Sequence, residues 1–180
     1  MAWLIFDNAE HGNPVDHRFV VEIAEAWTEL AEYPGLGAIG VRARGPSFSV
    51  GTRADVTRPL KPIGPKACGN WLPILVELQG DVAAGAFELL GQADMILSAP
   101  DVLLSVPTDP AGRLDVQYLR PKLPEPELRR LALLGAAAPM TADRAAELGL
   151  IDTIVPRQDL RRASINALAW LASGSPLPNG

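Results

Sequence analysis

Apolar residues at Phe19, Val20, Ile23, Ala24, Trp27, Leu30 and Ala31 recur at the spacing of one helix face. They predict an amphipathic helix from about Asp16 to Tyr33, with Asp16 as a candidate N-cap and Pro34-Gly35 as its stop. Ahead of it, Trp3 to Phe6 reads as a short strand, followed by a loop broken by Gly12 and Pro14. Further apolar runs between turn residues predict strands at Leu36 to Val41, Pro73 to Gln79, Met95 to Ser98, Val102 to Val106 and Ile151 to Val155. Helices are predicted near Leu114 to Leu119, Pro126 to Leu134, Thr141 to Leu148 and Leu160 to Ala172, with loop from Thr52 to Asn70. Strands alternating with helices argue for an α/β fold of sheets layered with helices. The pattern is that of a single domain over 1–172 with a loop-like tail over 173–180.

Composition narrows the function classes. At 180 residues, 48% hydrophobic and 21% charged, the chain fits one globular unit with a substantial core. A net charge of −5 with scattered Lys and Arg argues against nucleic acid as a partner, because a phosphate backbone demands clustered cations. Cys68 is the one cysteine, so an intrachain disulfide and a Cys-based zinc site are both excluded, and a reducing cytoplasm is expected. His11 and His17 lack converging metal ligands and no triad motif surrounds them; no metal is expected. No apolar run is long enough for a membrane span, and Met1 to Asp7 lacks the pattern of a secretory signal.

The chemistry centres on Gly80 to Asp94. The strand ending at Gln79 delivers it, and the small residues Ala83 to Ala86 open a helix with Glu88 in its first turn. Leading N–H groups of a helix have no intrahelical partner and favour negative charge, while small residues admit a ligand close to the backbone. Glu88, three residues after Gly85, is a candidate proton carrier; taken alone, it reads first as a carboxylate that favours the helix dipole. Gly35 to Gly40 spells GxGxxG, but it follows a helix and enters a strand, the reverse of a dinucleotide-binding loop. It is expected to be a helix C-cap and strand start.

Three segments in order, Gly45-Pro46-Ser47-Phe48-Ser49-Val50-Gly51, Gln79 to Asp94 and Ala145 to Pro156, resemble the crotonase (enoyl-CoA hydratase/isomerase) superfamily. The resemblance covers about Phe6 to Ala172 and implies a crotonase-like spiral of ββα units. It also implies an acyl-CoA thioester ligand, with coenzyme A as part of the substrate and no tightly bound cofactor, and a homotrimer or hexamer. By the same resemblance, the backbone N–H groups of Thr52 and Gly85 form an oxyanion hole, and Glu88 shuttles a proton.

The chain departs from the family's pattern at the second carboxylate, where Pro107-Thr108 stands and Asp109 is adjacent. Glu10 occupies a position where the family often carries a basic residue. Arg53, Arg58, Lys61 and Lys66 are candidates for contacts to CoA phosphates, and read equally as solvated loop charges. Two functions follow: an enoyl-CoA hydratase/isomerase-like enzyme, or a catalytically impaired acyl-CoA-binding helper of a partner biosynthetic enzyme.

Overall fold

The computed structural model describes residues 1–52, 61–106 and 116–174. Strands β1 (Ala2–Phe6), β2 (Ile39–Ala43), β4 (Ile74–Leu78), β6 (Met95–Ser98) and β9 (Thr153–Ile154) form one sheet in that order, all parallel. A smaller sheet holds β3 (Ser47–Ser49), β5 (Asp81–Ala83), β7 (Leu103–Ser105) and β8 (Met140–Thr141), with only the last pairing antiparallel. Each of β2, β4 and β6 is followed by a strand of the smaller sheet. The chain therefore advances as a spiral, one strand in each layer per turn.

The helices are α1 (His17–Glu32), α2 (Phe87–Gln92), α3 (Glu125–Leu134), α4 (Ala142–Glu147) and α5 (Arg157–Ala172). The predicted cap is present: the Asp16 carboxylate accepts from the Phe19 N–H at 2.9 Å. Val20, Ile23 and Trp27 turn inward from α1, as the spacing demands. Thr141 caps α4 by accepting from the Arg144 N–H at 3.2 Å. In α5, Leu160, Ser164 and Leu168 are buried at four-residue intervals, which lays the helix across the larger sheet.

The central strand β4 is buried along its whole length, Glu77 included. Glu77 is tolerated there because Arg161 of α5 donates to it at 3.2 Å and Arg42 of β2 lies at 3.7 Å. The Arg161 guanidinium also stacks 3.9 Å from the centroid of the Trp3 ring, so one cation ties α5 to two strands. On the opposite side of the core, Phe6 meets Phe19 and Phe48 edge-on at 4.8 and 5.3 Å, linking β1, α1 and β3.

Several boundaries differ from the periodic reading. The strand expected at Leu36 is β2, beginning at Ile39, and β5 and β8 arise where no strand is predicted. The segment expected as a helix up to Leu119 is a 3-10 turn over Val116–Leu119 within the described residues. The GxGxxG segment joins α1 to β2, with Gly40 in β2 beneath the Trp3 ring, as expected of a strand start; the C-cap of α1 is instead Tyr33, and Gly35 at φ 75 forms the turn after it. From residue 175 onward the predicted tail lies outside the described residues.

Candidate functional site

Two distant stretches meet at the exits of β3 and β5. After β5 the chain makes a 3-10 turn over Ala84–Ala86 before α2 begins at Phe87. The expected helix opening at Ala83 is therefore a strand end and a tighter turn. Its leading N–H groups still lack partners within the turn. Gly85 and Thr52 are each partly exposed, Gly85 between buried Ala84 and Ala86. A Cβ built on Gly85 would lie 2.5 Å from the Thr52 nitrogen and 2.9 Å from the Gly51 carbonyl carbon, so only glycine allows this approach. The two amides named from the sequence as a donor pair are thus brought together.

Thr52 is held from the other side. Val15 and Thr52 form a parallel bridge, and the Val15 N–H donates to the Gly51 carbonyl at 2.9 Å. Gly51 takes φ 84, and a Cβ there would lie 2.9 Å from the Ala83 Cβ. The donor loop and the end of β5 are therefore in close contact on both flanks.

Glu88 is 5% exposed and stands in the first turn of α2, so it is buried yet still placed to favour the helix dipole. Its Oε2 accepts from the Ile63 N–H at 2.8 Å, and its Oε1 accepts from the Gln92 side-chain Nε2 at 3.1 Å. Gln92 in turn accepts from the Lys66 N–H at 3.1 Å through its Oε1. One face of α2 thus clamps the segment that returns to the core after Lys61. Trp27, fully buried, completes the grip by donating from Nε1 to the Ile63 carbonyl at 2.9 Å, while Asn70 donates to the Trp27 carbonyl at 3.0 Å.

Ile63 and Gln92 were not singled out by sequence, and Trp27 was read only as part of the apolar face of α1. The signal for Gln92 was its place one helical turn after Glu88, whereas the Ile63 contact is made through backbone and leaves no mark on residue type. Cys68 lies within the field of Glu88: burial, and secondarily that charge, push its thiol up from the ordinary value.

The other predicted site residues separate. Lys61 and Lys66 are exposed, and the Lys66 ammonium sits 6.0 Å from the centroid of the Trp71 ring. His11 is exposed, with its Nδ1 2.9 Å from the Asn8 Oδ1, and His17 is an exposed residue opening α1. Arg53, Arg58, Thr108 and Asp109 lie outside the described residues. Among the described residues no group of three His, Cys, Asp or Glu side chains could hold a metal ion, and no helix is long and apolar enough to cross a membrane.

A cleft of about 490 Å³ opens elsewhere, between β1 and α1, lined by Leu4, Phe6, Asp7, His11, Phe19 and Ile23 among others. It includes none of Thr52, Gly85 and Glu88. Cleft size and donor chemistry point to different places. The cleft follows the edge strand β1, whereas the Thr52 and Gly85 amides meet beyond β3 and β5 of the smaller sheet.

No family model matches the chain. In sequence it is similar to (7aS)-7a-methyl-1,5-dioxo-2,3,5,6,7,7a-hexahydro-1H-indene-carboxyl-CoA hydrolase of Rhodococcus jostii (strain RHA1). The two are 23% identical over 175 residues, covering 89% of this chain and 67% of the relative. It is also similar to cyclohexa-1,5-dienecarbonyl-CoA hydratase of Thauera aromatica, 28% identical over 104 residues, covering 53% of this chain but only 40% of the relative. In structure it resembles an enoyl-CoA hydratase/isomerase from Mycobacterium paratuberculosis, with a TM-score of 0.82 and 20% identity over 97% of this chain and 73% of that one.

Proposed function

We propose, for a chain that has the crotonase fold and whose relatives act on CoA thioesters, that it binds an acyl-CoA thioester and works as an enoyl-CoA hydratase/isomerase-like enzyme. The observation that carries this reading is the abutment of Gly85 on the Thr52 amide, with buried Glu88 one turn further on. In an isomerisation, the Glu88 carboxylate removes a proton from the saturated carbon next to the double bond of the conjugated enoyl thioester. The freed electron pair moves into the carbonyl, and the Thr52 and Gly85 N–H groups stabilise the enolate oxygen, each donor contributing roughly 3–4 kcal/mol. The same proton returns at a different carbon, and the double bond has moved. Hydration or dehydration of an enoyl-CoA is the related reaction, with Thr108 or Asp109 as the second polar group. Arg53, Arg58 and Lys61 are assigned to the CoA phosphates on the resemblance alone.

The protein is taken to need no tightly bound cofactor, to assemble as a homotrimer or hexamer and to work in the cytoplasm; a single cysteine suits a reducing compartment.

The test is to mix the purified protein with short and medium enoyl-CoAs and follow loss of the conjugated thioester absorbance. Turnover that falls at least roughly 100-fold in Glu88→Gln supports the reading; no turnover above that variant at any chain length sinks it. One observation favours a second reading, a binding or helper protein of a partner enzyme: both Glu88 oxygens already accept protein hydrogen bonds. Calorimetric titration separates the two, since binding of acyl-CoA without turnover fits only the helper, and absence of binding removes both.

A further inference from the structure

One buried side chain joins the turn after β1 to the turn and strand β3 that lead to Thr52. Asn13 is 1% exposed and adopts φ 53, a left-handed conformation that asparagine tolerates better than most residues. Its Oδ1 accepts from the Asn8 N–H at 2.8 Å, and its Nδ2 donates to the carbonyls of Arg44 and Ser47 at 2.9 and 3.0 Å. These partners assign the amide orientation, because two carbonyls must face the NH2 group. The Asn13 carbonyl accepts from the Ser49 hydroxyl at 2.8 Å, and that hydroxyl oxygen accepts from the Gly51 N–H at 3.1 Å. On either side, the Gly12 carbonyl accepts from the Val50 N–H, and the Val15 N–H donates to the Gly51 carbonyl, each at 2.9 Å.

The consequence lies in one peptide plane. The Gly51 carbonyl and the Thr52 N–H belong to the same planar trans unit, so a carbonyl held toward Val15 aims the N–H the opposite way. We propose that Asn13 is a positioning residue that sets the direction of the Thr52 N–H. This rests on the reading of Thr52 as an oxyanion donor. Asn13 touches no reacting atom; it acts by locking Ser47 to Gly51 against the turn, with every polar atom of its carboxamide used. A carboxylate in its place would present an oxygen, not two donors, to the Arg44 and Ser47 carbonyls, reversing the sign of both contacts.

The test uses the full chain with Asn13→Asp and Asn13→Gly, and Leu168→Ala as a control that opens a cavity under α5, away from the smaller sheet. Backbone amide resonances and hydrogen exchange are read at Val15, Gly51 and Thr52, together with the Tm and, on a short enoyl-CoA, kcat and KM. In the Asn13 variants we expect displaced Gly51 and Thr52 resonances and about tenfold or greater loss of exchange protection at Val15 and Gly51. We also expect kcat to fall roughly 10–100-fold with KM within about threefold. Leu168→Ala should lower the Tm yet leave those amides and kcat alone. Should Asn13→Asp not fold, Asn13→Gly carries the test, because glycine accepts the same φ. Resonances at Gly51 and Thr52 that move no more than in Leu168→Ala overturn the proposal. If the wild type turns over no enoyl-CoA, the proposed function fails, while displaced resonances still support the positioning role and undisplaced ones still overturn it.

Discussion

Adding a single methyl at Gly85 tests the site most directly. In Gly85→Ala the new carbon would meet the Thr52 nitrogen at 2.5 Å and the Thr52 Oγ1 at 2.7 Å, whereas ordinary contact begins at 3.4 Å. The hydroxyl can rotate aside. The Thr52 nitrogen and the Gly51 carbonyl carbon are backbone, so the loop itself must retreat by about 0.9 Å to restore contact distance. Overpacking of this kind costs about 1–3 kcal/mol. For a chain of this length that lowers the Tm by roughly 2–10 °C, read by calorimetry or circular dichroism. The functional loss should be larger in proportion, because displacing a donor by about an ångström costs on the order of 100-fold in rate. Turnover of a short enoyl-CoA, followed by absorbance, is the second readout. A Gly85→Ala protein that melts within about 1 °C of the wild type and keeps its rate would refute the claim that the two amides are in close approach.

Three further outcomes follow from the packing. Trp27→Phe removes the hydrogen bond to the Ile63 carbonyl and leaves that buried acceptor unpaired, so urea unfolding should show about 1–3 kcal/mol lost. Glu77→Ala strips the carboxylate from between Arg42 and Arg161; the Arg42 Nε, which has no hydrogen-bond partner, then faces the core uncompensated, and about 3 kcal/mol should be lost in the same assay. The guanidinium of Arg144, and secondarily that of Arg130, hold Glu127 below its ordinary value of 4.5. Its contribution to stability is therefore present in full above pH 4.5 and is lost as pH falls through the lower folded-state value. Urea unfolding of wild type and Glu127→Gln should differ by about 1 kcal/mol near neutrality and converge at low pH; a gap that stays constant across that range would contradict the assignment.

Helices α1, α3 and α5 and strands β1, β2, β4 and β6 were legible because each is long enough, or apolar enough, for its period to show. The Asp16 cap was legible for the same local reason: the residue that bonds the orphan N–H lies within the same helical turn. Strands β5 and β8, three and two residues long, carry too few alternations to register, and they exist only because β3 and β7 supply partners.

At the site the division is sharper. Gly85 and Glu88 could be named from residue type and spacing, since small residues before a first-turn carboxylate are a local pattern. That Gly85 presses on the Thr52 amide, that Glu88 accepts from the Ile63 N–H, and that Asn13 holds the turn before β3 are contacts between segments far apart in the chain. Composition and periodicity thus determined an α/β chain, the cap of its first long helix and a glycine-carboxylate pair of suggestive chemistry. Only the packing of the two sheets decided which backbone groups face one another, because hydrogen bonds made through N–H and C=O are available to almost every residue and so leave no trace in the sequence.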